Sequence, residues 1–238
     1  MLREFAEYLA STKENKTYSI NGEVYSDNAL HRVEPYIPTP KQIEVSGLDS
    51  IVKLVRNEQD MFDNYPIFIR VDGARGVSVF TTYGTEMQRD YLYTAKCDVP
   101  GFADGFREHD KAIIELRSKF EQNDGTEYLL ELLSRVSKDS GVTTRDNGVS
   151  QEVEARTGVS LKQMVAVKPR VALRPYRTFM EVEQPESDFL LRLDDEGKVG
   201  LFEADGGMWK LDAKRKIQGY FEEELRKEIE EGKVVVMV

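Results

Sequence analysis

The chain has 238 residues, 40% apolar and 32% charged, the balance of a soluble folded protein long enough to bury a core without disulfide staples. Forty-three acids against 33 basic residues leave a net charge of −10, a field that opposes approach to a phosphate backbone. The single cysteine, Cys97, excludes an intrachain disulfide, and the segment MLREFAEYLASTKENK has acids where a signal peptide has an unbroken apolar run. No apolar run approaches the roughly 20 residues that span a bilayer. The expectation is a cytoplasmic protein without a membrane contact.

Taken in chain order, Leu2, Phe5, Ala6 and Leu9 fall at helical spacing and predict a short amphipathic helix over 2–13. KTYSINGEVYSDNAL predicts a hairpin around Asn21–Gly22, the favoured pair for a type I′ turn. Pro35, Pro38 and Pro40 then make an extended connector. Residues 1–45 therefore read as an N-terminal arm packed on, or extending from, a core of 46–238, the whole being one α+β unit. Ser46 with Asp49 predicts a capped helix start, and Leu48, Ile51, Val52 and Val55 carry that helix to about Asn57. From Pro66 the period becomes two, and PIFIRVD, GVSVFTTYG and DYLYTAKCDV read as three strands, with DGARG as the first turn.

A helical block follows, with Ile113, Leu116 and Phe120 on one stripe. Asp124–Gly125 with Glu127 resembles a cap for a second helix bearing Leu129, Leu132, Leu133 and Val136, which Gly141 ends. The second half returns to β: VSQEVEART, MVAVKPRVALR, YRTFMEVEQ, FLLRLD and VGLFEA, the last two joined by a turn at Asp194–Gly197. A helix with Ile217, Tyr220, Phe221, Leu225 and Ile229 on one face ends at Gly232, and KVVVMV reads as a terminal strand. The order predicts an α+β fold with a mixed or mainly antiparallel sheet, flanking helices, and a C-terminal helix followed by that strand.

The most distinctive stretch is LFEADGGMWK, 201–210, with two acids, a glycine pair and the only tryptophan. Read mechanically, Asp205–Gly206–Gly207 turns a strand into a helix, Trp209 anchors the corner, and Asp212 serves as cap or first-turn acid. Read chemically, Glu203 and Asp205 project to one side as divalent-metal ligands, with Asp72 or Asp146 as a third. Lys168, Arg170, Arg174, Tyr176 and Arg177 are the best candidate for stacking and neutralising a single nucleic-acid strand, which the net charge disfavours. His31 and His109 have no metal-ligand spacing, and Cys97 sits in an alternating run, where a thiol acts as a small hydrophobe. Asn147–Gly148 reads as a turn, and neither a nucleophile elbow nor a phosphate-binding glycine loop occurs. No cofactor is called for.

INGEVYSDNAL, DNGVSQEVEARTGV, PYRTFMEVEQPESDFLLRL and LFEADGGMWKL, in this order, resemble the YfdQ-like family of phage and prophage proteins, over most of the chain from about Tyr18 onward. That resemblance implies a single-unit protein of a temperate phage or prophage, often beside genes for phage DNA metabolism or recombination, and no established catalytic residues. The leading expectation is a non-enzymatic accessory protein acting through homo-oligomeric assembly, as a ring or cage, and through binding to a phage or host protein. Its contact would be the uncharged strand of Val234, Val235, Val236, Met237 and Val238, unless that strand is buried within its own sheet. A metal-dependent enzyme acting on nucleotides or nucleic acid, and an inhibitor of a host defence protein, are the alternatives.

Overall fold

Two five-stranded sheets carry the fold, and each buries one face beneath helices. A computed structural model of the chain describes residues 2–11, 16–26, 40–58, 65–84, 87–136, 144–146, 150–157 and 161–238. Among them are six helices and 15 strands, mostly antiparallel, an α+β architecture. They divide into two compact units, Met1–Thr39 and Pro40–Val238.

The first unit holds α1 (Leu2–Ser11) and a hairpin of β1 (Thr17–Ile20) and β2 (Glu23–Ser26). Asn21 and Gly22 have φ of 55° and 85°, the left-handed pair that a type I′ turn requires. The connector expected at Pro35 and Pro38 lies outside the described residues, as do His31, Gly141 and Asn147–Gly148.

The first sheet of the second unit runs β15-β4-β5-β6-β3. Its strands are β3 (Ile43–Val45), β4 (Ile67–Gly73), β5 (Gly76–Phe80), β6 (Tyr91–Lys96) and β15 (Val234–Met237). β3, expected within an N-terminal arm ending at 45, thus belongs to this core sheet, parallel to β6. Alternation puts Ile67, Ile69 and Val71 of β4 and Val77 and Val79 of β5 on the inner face. Against them pack Leu48, Ile51, Val52 and Val55 of α2 (Leu48–Glu58) and Ile217 and Phe221 of α5 (Trp209–Glu224). The expected single C-terminal helix breaks at Leu225, where α5 ends and α6 (Arg226–Glu230) begins, though Leu225 stays in the core. Gly232, at φ 73°, then turns the chain into β15.

The second sheet runs β7-β14-β13-β12-β8 and is antiparallel throughout. Its members are β7 (Gly105–Arg107), β8 (Phe120–Glu121), β12 (Arg170–Pro175), β13 (Ser187–Leu193) and β14 (Val199–Glu203). Covering it are α3 (His109–Ser118) and α4 (Asp124–Arg135), through Ala112, Leu116, Leu129, Leu132 and Leu133. Phe120, expected on the helical stripe, instead begins β8, and β7 has no clear alternation in the sequence. A three-stranded sheet of β9 (Thr144–Asp146), β10 (Gln151–Thr157) and β11 (Leu161–Val167) adds Val153 and Val167 to the same core. Buried Gln151 joins it to β13, donating to Leu193 O at 2.6 Å and accepting from Leu193 N at 2.9 Å.

Two expected strands are corrected. MVAVKPRVALR divides at Lys168–Pro169 into β11 and β12, because proline cannot donate to a ladder. YRTFMEVEQ is not a strand: residues 177–186 form an irregular connection, from which Phe179 and Val182 enter the first core. Asn123, not Asp124, caps α4, through a reciprocal pair with Thr126. No helix among the described residues is long and apolar enough to cross a membrane.

Candidate functional site

The corner between β14 and α5 is built from residues that the chain brings in from four places. β14 delivers Glu203, the turn delivers Asp205, β13 begins with Ser187, and the irregular connection contributes Arg177. Asp205 accepts from the backbone N–H of Gly207 at 2.9 Å and of Trp209 at 3.2 Å, so it caps α5. It also accepts from the Ser187 hydroxyl. Asp212 is the first-turn acid and pairs with Lys216 at 3.1 Å. Gly206 and Gly207, at φ 64° and 82°, have open space where a Cβ would sit, so backbone conformation, not close approach of another group, calls for glycine.

Arg177 is the centre of this cluster, only 3% exposed. Its guanidinium donates to Glu203, to Ser187 and to Pro185 O, and its plane lies over the Trp209 ring at 4.2 Å. The Trp209 indole N–H donates to the other oxygen of Glu203 at 3.2 Å. Burial pulls the Arg177 guanidinium below its ordinary value, against the opposing charges of Glu203, Asp205 and Asp212. Burial also pushes Asp205 upward, but hydrogen bonds from Ser187, Gly207 and Trp209 and the charge of Arg177 prevail and hold it below the usual carboxylate range.

Residues 177–186 join the two sheets. Thr178 Oγ1 donates to Ala74 O at 2.5 Å and Arg75 Nε to Arg177 O at 3.1 Å, which fastens the β4–β5 turn. Phe179 and Val182 enter the first core. Gln184, 1% exposed, accepts from the N–H groups of Arg177 and Thr178 and donates to Phe179 O, replacing the bonds a sheet would have supplied. Glu181 Oε1 accepts from Leu48 N at 2.7 Å, capping α2 in place of the expected Ser46.

The expected metal trio is not assembled. Asp72 pairs with Arg70 at 2.5 Å and accepts from Ser78, while Asp146 lies 4.0 Å from Arg192. No group of three histidine, cysteine, aspartate or glutamate side chains is placed to hold one ion among the described residues. Within the basic segment, Arg174 and Arg177 are paired closely with acids. Arg174 contacts Glu183 at 2.6 Å, Glu186 at 3.1 Å and Glu121 at 3.9 Å, and these carboxylates, Glu186 foremost, raise its pKa against the effect of burial. Arg170 lies 3.9 Å from Asp188, Lys168 sits over the Tyr128 ring, and Tyr176 donates its backbone N–H to Lys119 O. Cys97 is half-buried against the first core, and burial pushes its thiol up. His109 holds α3 to α4 through Leu133 O, 2.9 Å from Nε2.

The C-terminal strand is in its own sheet, parallel to β4, and it forms that sheet's edge. Val234 is buried, Val236 and Met237 half-buried, and Val235 and Val238 exposed. The sequence gives no signal for the roles of Glu181, Gln184 and Ser187, apart from Pro185, which demotes the surrounding β-prone run. Comparisons of the chain with protein-family models, with curated proteins and with solved structures find no match to any of them.

Proposed function

We propose that this is a non-enzymatic phage or prophage accessory protein that works by self-assembly and binding. One observation carries the reading: β15, without a charge, a proline or a bulge, is the edge strand of a five-stranded sheet among the described residues. Edge strands are ordinarily blunted, because their unpaired N–H and C=O groups recruit other strands. The remaining edges of the two five-stranded sheets follow that rule. β3, β7 and β8 are three, three and two residues long and carry Glu44, Arg107 and Glu121. β15 alone of the four is longer and wholly apolar.

The polar cluster supports the same reading. Arg177, Glu203, Ser187 and Asp205 are committed to one another and to α5, so the acidic glycine corner reads as architecture. The resemblance to YfdQ-like proteins supplies the phage setting, and a closed symmetric oligomer is the natural product of an edge that pairs with itself. Size-exclusion chromatography with light scattering tests the proposal: a multiple of the single-chain mass at micromolar concentration is expected, and monomeric elution across that range overturns it.

A further inference from the structure

We infer that β15 pairs antiparallel with β15 of a second copy, in the register that sets Val235 opposite Val235 across a two-fold axis. The inference rests on the assembly reading and specifies its contact. Ile67 N donates to Lys233 O at 2.8 Å, and Val234 is aligned with Ile67. Backbone groups alternate sides along a strand, so Lys233, Val235 and Met237 point theirs toward β4, and Val234 and Val236 point theirs outward. An antiparallel partner must meet those two residues with its own outward pair. Setting Val234 against Val236 of the second copy, and the reverse, uses all four residues of outward backbone and exchanges four hydrogen bonds. Val235 then faces its counterpart as a non-hydrogen-bonded pair, the closer type, about 4.5 Å between Cα atoms.

Side chains favour the same occupant. On the sheet face opposite the core, register aligns Val235 with Phe68, Phe68 with Phe80, and Phe80 with Tyr91. Phe68 and Phe80 stack at 5.7 Å, Phe80 meets Tyr91 at 5.4 Å, and the Arg89 guanidinium lies 5.1 Å from Phe68 and 5.3 Å from Phe80. This apolar row ends at the edge in Val235, which is 38% exposed. Two-fold pairing covers that end with an identical valine and joins the two rows into one strip. No like charges are brought opposite each other, and the two-fold sets valine against valine along the uncharged strand.

Disulfide trapping tests the register. In a Cys97→Ser background, which removes the only native cysteine, Val235→Cys and Val236→Cys are each oxidised with copper–phenanthroline and run on a non-reducing gel. Val235→Cys is expected to convert most of the chain to a covalent dimer, and Val236→Cys little, because its Cα atoms then lie beyond the roughly 7 Å a disulfide spans. Val236→Pro, which removes an outward donor and no hydrogen bond to β4, is expected to lower the mass by light scattering while leaving the melting profile cooperative. Trapping at Val236 alone, or at neither position while the mass stays above one chain, overturns the register and leaves self-assembly standing. A monomeric parent overturns both, and a covalent product with a different protein overturns the second copy as occupant.

Discussion

The Glu181 carboxylate accepts a hydrogen bond from the backbone N–H of Leu48, 133 residues earlier, at 2.7 Å. A helix start whose side-chain cap comes from another part of the chain makes local helix stability depend on tertiary assembly. Glu181→Ala is expected to cost about 1 kcal/mol, the usual worth of a cap, and about 2–4 °C in Tm for a chain of this size. A Cβ at Gly47 would displace the same carboxylate oxygen. Gly47→Ala is therefore expected to cost a similar amount, and the two changes together scarcely more than one. Thermal melts of the double-mutant cycle check this, and full additivity would show that the two residues act independently.

Gly125 presents a different constraint. A Cβ there would collide with the backbone carbonyl of Ala172 and come within 3.0 Å of Val171 Cγ1, neither of which can swing aside. Gly125→Ala is expected to destabilise by about 2–3 kcal/mol despite alanine's better helix propensity, because α4 must lift from β12. A urea midpoint equal to the parent's would mean the helix has slack that the packing does not indicate.

Removing Arg177 strips Glu203 and Ser187 of their shared donor. Arg177→Met is expected to cost about 3 kcal/mol, at the low end for a broken buried pair because the Glu203 side chain is 26% exposed and regains some water. Arg177→Lys should not restore it, since a point charge cannot reach Glu203, Ser187 and Pro185 O together. Adding Glu203→Met to Arg177→Met is expected to recover part of the loss, and denaturant melts of the three variants measure the coupling.

Much of this fold is legible in the sequence where a single period holds. Leu48, Ile51, Val52 and Val55 write α2, alternation over 67–80 writes β4 and β5, and Asn21–Gly22 writes its own turn. Periodicity fails at 177–186 because that segment serves the first core and the polar corner at once. Phe179 and Val182 answer to one sheet and Arg177 to the other, so β-prone residues appear without a ladder. The corner at 201–210 is readable as a turn from its glycines. Its closure is not, since Arg177 and Ser187 arrive from 26 and 18 residues away from their carboxylate partners, Glu203 and Asp205. Strand β15 is readable as a strand, but only the topology shows that it lies at an edge.

Asp205 gives the cluster a pH signature. Its folded pKa is depressed, chiefly by hydrogen bonds from Ser187, Gly207 and Trp209 acting against burial. Above the ordinary aspartate value, near 4, the carboxylate is ionised both folded and unfolded, and the stabilisation is fully present. As pH falls below that value the unfolded chain takes up the proton first, so stability declines until the folded carboxyl also titrates. Asp205→Asn cannot titrate. It is expected to be about 1–2 kcal/mol less stable than the parent at pH 7, having lost charge-assisted bonds, and the gap should narrow between about pH 5 and pH 3. Urea titrations of both proteins at pH 7, 5 and 3.5 measure it. A gap that stays constant across those values would show that the Asp205 charge contributes nothing to holding the corner closed.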